Sequence, residues 1–191
     1  IVICLISLVL LITRRKLIIV NWSAVIIRSF LYTTSMLIYF GCLSFLSIAV
    51  VGAGMFTSPI FVLLISYFLY NEVIGFRRIL AVMIGSIGVW FILDPFNEQF
   101  SFLNFLPVFG GAFLAMGNMA TWRLCSKENL LTLNLMFFSA IGLCGLLGTL
   151  AISVYDIQSI DLSIPSFFTS EWTFGSKLLW TLIFLQSIGS L

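Results

Sequence analysis

FTSPIFVLLISYFLYNEVIGFRR, residues 56–78, sets a helix breaker inside an unbroken apolar run. Pro59 has no N–H and crowds the turn before it, which in the interior of a soluble helix costs about 3 kcal/mol. The run belongs to a longer stretch, residues 29–71, that carries no charged side chain at all. One straight helix over that stretch would be about 65 Å long at 1.5 Å per residue, twice a hydrocarbon core of about 30 Å. The chain must therefore turn back. Residues 47–54 (SIAVVGAG) are the expected reversal, giving spans near residues 29–46 and 50–70.

Composition says what solvent surrounds these helices. The chain is 61% hydrophobic and 8% charged, with 20 Phe in 191 residues. Soluble domains are about 45–50% apolar and about 25% charged, so a soluble fold of this length could not hide so much apolar surface. The chain opens and closes inside apolar runs and is read as an internal fragment of a longer membrane protein. There is no His, which removes a Ser-His protease, a His proton relay and a His-ligated metal site. The four cysteines, Cys4, Cys42, Cys125 and Cys144, have no CxxC spacing and read as small apolar fillers. No catalytic residue, cofactor site or metal site is expected, and the basic residues form no patch for nucleic acid.

Charges punctuate the chain at intervals of one membrane crossing. Residues 1–13 form the tail of a span; further spans are expected at 79–93, 105–122 and 130–154. A polar loop at 155–176 then leads to a last span from Leu178. With alternating sides, Arg14, Arg15, Lys16, Arg28, Arg77, Arg78, Arg123 and Lys127 fall on one side. Only Lys177 falls on the other, among Asp94, Glu98, Asp156, Asp161 and Glu171. The bias makes the basic side cytoplasmic.

The same stretch carries a family resemblance. Ser58-Pro59, Asn71-Glu72, Arg77-Arg78 and Gly85-x-x-Gly88 follow one another in the order and spacing of the EamA family of the drug/metabolite transporter superfamily, with Arg28 at the start of the preceding helix. The chain resembles that family well over residues 14–123 and weakly beyond. The resemblance implies an all-α membrane protein, a polytopic bundle of two inverted five-helix repeats, here truncated at both ends. Residues 1–95 would run from the end of helix two to helix five of the first repeat. Residues 96–191 would supply helices six, seven and part of eight in the second.

Pro59 admits two readings: a kink that opens a substrate-sized space at mid-depth, with hydroxyls of Thr57 and Ser58 beside it, or a packing bend. Tyr32, Ser35, Tyr39 and Cys42 share one helix face, as do Gly111, Ala115, Asn118 and Trp122. Tyr39, Thr57, Ser58, Pro59, Asn118 and Trp122 are the candidate substrate path; for Tyr39 and Asn118 an interhelical hydrogen bond is the alternative. Glu72 is expected to fix the Arg77-Arg78 turn. Gly85 and Gly88, with Gly142, Gly145 and Gly148, are expected to be close-packing faces. Arg123 reads as a cytoplasmic anchor.

The resemblance implies a carrier that exports amino acids or related small metabolites by alternating access. The rivals are an importer of a nucleoside-like metabolite such as S-adenosylmethionine, a lipid-linked sugar flippase, and a structural or enzymatic membrane protein. The expected partners are a small-molecule substrate, the lipid bilayer and, as an open case, a second copy in a homodimer. The expected location is a multi-pass position in a cell membrane, the bacterial inner membrane.

Overall fold

The computed structural model describes residues 19–93 and 102–155, and among them every regular element is helical. Helix α1 is Trp22–Cys42, α2 Ile48–Met55, α3 Ser58–Tyr70 and α4 Phe76–Leu93; a 3-10 turn at Phe102–Phe105 leads into α5, Leu106–Leu124, and α6 is Leu130–Tyr155. Trp22–Cys42, Ile48–Tyr70, Phe102–Leu124 and Leu130–Leu150 are each long and apolar enough to cross a membrane. The protein is an all-helical, multi-pass membrane protein. The expected span at residues 1–13, the acidic residues of the opposite side and the last span from Leu178 lie outside the described residues.

The elements form two compact units, Ile26–Ser126 and Ile1–Val25 with Lys127–Leu191. In the second, the Glu128 carboxylate accepts from the backbone N–H of Val20 at 2.9 Å and of Asn21 at 2.7 Å. The Asn129 side chain accepts from the N–H of Leu131 in the first turn of α6, so the backbone entering α1 and the start of α6 each have amides satisfied locally.

The first reversal corrects the sequence reading. Residues 47–54 are not a turn: Ile48–Met55 is helical, and the chain reverses at residues 43–47. Ser47, with extended backbone, accepts from Val50 N–H and starts α2. Small residues alone do not end a helix in lipid, because packing of small faces stabilises it there. α1 likewise begins at Trp22, seven residues earlier than expected, because Asn21 accepts from Ala24 N–H and starts the helix ahead of Arg28.

Pro59 is also placed differently. It is not midway along a continuous helix but in the first turn of α3, immediately after the interruption at Phe56 and Thr57. Pro59 has no N–H to offer the turn before it, and Ile60 N–H bonds to the carbonyl of Thr57 at 2.9 Å. A proline in the first turn removes a donor that has no intrahelical partner anyway. The breaker thus divides the span into two well-formed helices.

Within the unit Ile26–Ser126, packing is of the membrane type. Most buried positions are small or hydroxylated, among them Ser35, Val51, Ala53, Thr57, Ser58, Ala115 and Ala120. Large apolar side chains such as Phe30, Ile48, Phe68 and Phe91 are exposed. Bulky residues toward lipid and small residues between helices let backbones approach closely. The close approach is centred on α5. Beta-carbons added at Gly54, Gly110, Gly111 or Gly117 would meet Pro107, Met55, Thr57 and Tyr32 respectively. Gly85, Gly88, Gly142, Gly145 and Gly148 have nothing within 4 Å of such a carbon among the described residues. The expected close-packing faces are therefore corrected to α2 and α5, where helices bring backbone against backbone.

Two series of contacts fix the direction of α5. Gly54 meets Pro107, Thr57 meets Gly111 and Ser66 meets Met119, so α5 runs parallel to α2–α3. Ser35 meets Gly110, Tyr32 meets Asn118 and Arg28 meets Thr121, so it runs antiparallel to α1. The end of α3, the end of α5 and the Arg28 turn of α1 consequently lie together.

Candidate functional site

That shared end carries the polar side chains. Arg28 and Tyr32, one turn apart on α1, face Gly117, Asn118 and Thr121 on α5. Gly117 offers no side chain, so the Tyr32 ring packs directly against it; an added beta-carbon would stand 3.0 Å from ring atoms. The Tyr32 hydroxyl thereby reaches Asn118 and donates to its Oδ1 at 2.6 Å. Arg28 is buried at 8% exposure; its Nε donates to Thr121 Oγ1 at 2.8 Å, and its guanidinium lies 4.7 Å from the Tyr32 ring centre. Thr121 in turn donates to the carbonyl of Gly117 at 2.8 Å. A buried charge is costly unless partnered, and here Arg28 finds its partner across α1 and α5.

α3 delivers the second half of the site through its cap. Asn71 is left-handed, φ 50° and ψ 34°, the only non-glycine with positive φ among the described residues. Asparagine tolerates that conformation better than most residues because its short side chain can hydrogen-bond locally. The turn it makes presents Glu72 to α5, where it forms an ion pair with Arg123. The Arg123 guanidinium also lies 4.5 Å from the Tyr70 ring centre. The expectation that Glu72 secures the Arg77-Arg78 turn is replaced: its carboxylate joins the ends of α3 and α5.

Between these partners lies a cavity of about 470 Å³ lined by Tyr32, Val62, Ser66, Glu72, Arg78, Asn118, Met119, Thr121, Trp122 and Arg123. A larger groove of about 590 Å³ lies between α3 and α4, faced by Ile60, Leu63, Leu64, Tyr67 and Phe68. The larger space is mostly apolar, and its few polar groups cluster at the Asn71-Glu72 end. The smaller one has an acid, two guanidinium groups, an amide and hydroxyls converging from four helices, which is how small-molecule sites are built.

Of the residues singled out from the sequence, Asn118, Trp122 and Glu72 line the smaller cavity, and Arg28 stands behind its wall on Thr121. Thr57 and Ser58 are buried at the helix interruption, and Thr57 donates to the carbonyl of Gly54 at 2.6 Å. Neither cavity is lined by Thr57, Ser58 or Pro59. Tyr39 is half-buried two turns beyond Tyr32, with its ring edge-to-face on Phe40 at 5.3 Å. Gly85 and Gly88 line neither cavity. Ser66 and Arg78 were not singled out as lining residues. Ser66 follows Ser58 by eight positions on one helix face, a signal that was available; nothing in the sequence aims Arg78 inward. Among the described residues no group of His, Cys, Asp and Glu could hold a metal ion.

Neither the curated proteins nor the solved structures contain a match to this chain. The family model of the EamA-like transporter family matches residues 1–94, a stretch that includes Ser58-Pro59, the Asn71-Glu72 cap and the Arg77-Arg78 turn. Over this N-terminal stretch, just under half of its length, the chain is similar to the EamA-like transporter family.

Proposed function

We propose that the protein, as its similarity to the EamA-like transporter family suggests, is a membrane transporter of small molecules that exports amino acids or related small metabolites through the cavity between α1, α3, α4 and α5. The observation that carries this reading is the convergence of Tyr32-Asn118 and Glu72-Arg123 on one space of metabolite size. No covalent step is needed. Two inverted five-helix repeats would rock about the site, exposing it in turn to each face of a bacterial inner membrane. A strain lacking the gene, complemented with the full-length protein, tests this by efflux of a metabolite panel. Amino-acid efflux restored by the protein is the expected result; a panel without any difference overturns the proposal.

A second reading has its own support. Tyr32 and Trp122 put aromatic surface at the cavity, and Glu72 is an acid there, features that suit uptake of a cationic nucleoside such as S-adenosylmethionine. Uptake of that labelled compound into whole cells separates import from export.

A further inference from the structure

The charges at the cavity do not cancel. Glu72 is the only acid among the lining residues, and its carboxylate is engaged by Arg123. Arg78, on the first turn of α4, lines the same space, and no hydrogen bond or ion pair engages its side chain among the described residues. Arg77, next to it, is exposed and lines neither cavity. The other polar groups near the mouth are neutral: the Asn118 amide and the hydroxyls of Tyr32, Ser66 and Thr121. One guanidinium therefore faces the space without a counter-charge. A guanidinium carries five N–H donors and no acceptor, and its fork matches the oxygens of a carboxylate or phosphate.

We infer that this cavity is an oxyanion site, and that Arg78 selects cargo carrying a carboxylate or phosphate and a net negative charge. The inference rests on the transport reading above and narrows it. Glu72 keeps Arg123 occupied, the positive charge of Arg78 turns away cations, and the oxygens of an anion take its N–H groups. The same chemistry is offered by a phospholipid headgroup, because Arg78 is exposed at the basic end of the bundle.

The test is equilibrium binding to the purified full-length protein in zwitterionic detergent, with glutamate, succinate, glutamine and lysine as probes. Glutamate and succinate are expected to bind about tenfold more tightly than glutamine, the difference one charge-assisted hydrogen bond makes. Arg78→Gln removes that preference, Arg78→Lys retains part of it, and Arg77→Gln leaves it unchanged. Equal binding of glutamine or lysine, absence of binding by any anion, or a preference that survives Arg78→Gln overturns the inference. Repeating the measurement in nanodiscs of phosphatidylcholine and of phosphatidylglycerol distinguishes the sources. Loss of soluble-anion binding only in phosphatidylglycerol, reversed in Arg78→Gln, upholds the oxyanion site with a lipid as its occupant and removes the cargo assignment. Charge-selective binding without transport of any compound sinks the transport reading alone; transport indifferent to charge sinks this inference alone.

Discussion

A beta-carbon on Gly111 would stand 2.7 Å from Oγ1 of Thr57, and 2.8 Å from the carbonyl oxygen of Gly54. The second neighbour is backbone and cannot turn aside. Gly111→Ala is therefore expected to destabilise the protein by about 1–3 kcal/mol through overpacking. Gly85→Ala, with nothing within 4 Å of an added beta-carbon among the described residues, should be neutral or stabilising by up to about 1 kcal/mol through helix propensity. Thermal unfolding in detergent compares the two; equal effects would show that α2 and α5 do not meet as described.

Asn71 turns the chain at the end of α3 in a left-handed conformation. Asn71→Gly should be tolerated, since glycine enters that region freely. Asn71→Ala should cost about 1–2 kcal/mol, because a beta-carbon there crowds the following carbonyl. The order of melting temperatures, glycine above alanine, is the readout.

The Glu72-Arg123 pair is more than a third exposed on both sides, at 42% and 38%. Solvent screens it, so each of Glu72→Gln and Arg123→Gln should change stability by no more than about 1 kcal/mol. A double-mutant cycle should give a coupling of about 0.2–1 kcal/mol that shrinks in high salt. A coupling near zero at low salt would remove the link between α3 and α5.

Sidedness can be read with thiols in a background whose four native cysteines are replaced. Gly75→Cys, in the loop between α3 and α4, should be protected from an impermeant reagent in sealed cells, and Gln158→Cys should react. Two positions labelled alike would refute the alternation of basic and acidic loops.

How far each part could be read from residues differs by element. α6 was legible almost to the residue, because an apolar run of one membrane thickness between Asn129 and a polar stretch admits one helix. The turn between α1 and α2 was misplaced, because in an uncharged stretch of 43 residues several small residues look equally able to end a helix, and only Ser47 caps one. The glycines were misassigned for a related reason. Spacing shows that Gly85 and Gly88 share a face, but what that face meets depends on other helices.

The sequence by itself determined the solvent, the approximate crossings and the family motifs, because charge is excluded from hydrocarbon and its positions mark where the chain can leave it. Only the tertiary structure decided where the site lies. It brought Tyr32 to Asn118 and Glu72 to Arg123 from positions 86 and 51 residues apart, and it put the polar cavity at the basic end instead of beside Pro59. Such pairings follow from helix direction and from the close approach permitted at Gly54, Gly111 and Gly117. Those are properties of two surfaces together, and no single helix encodes them.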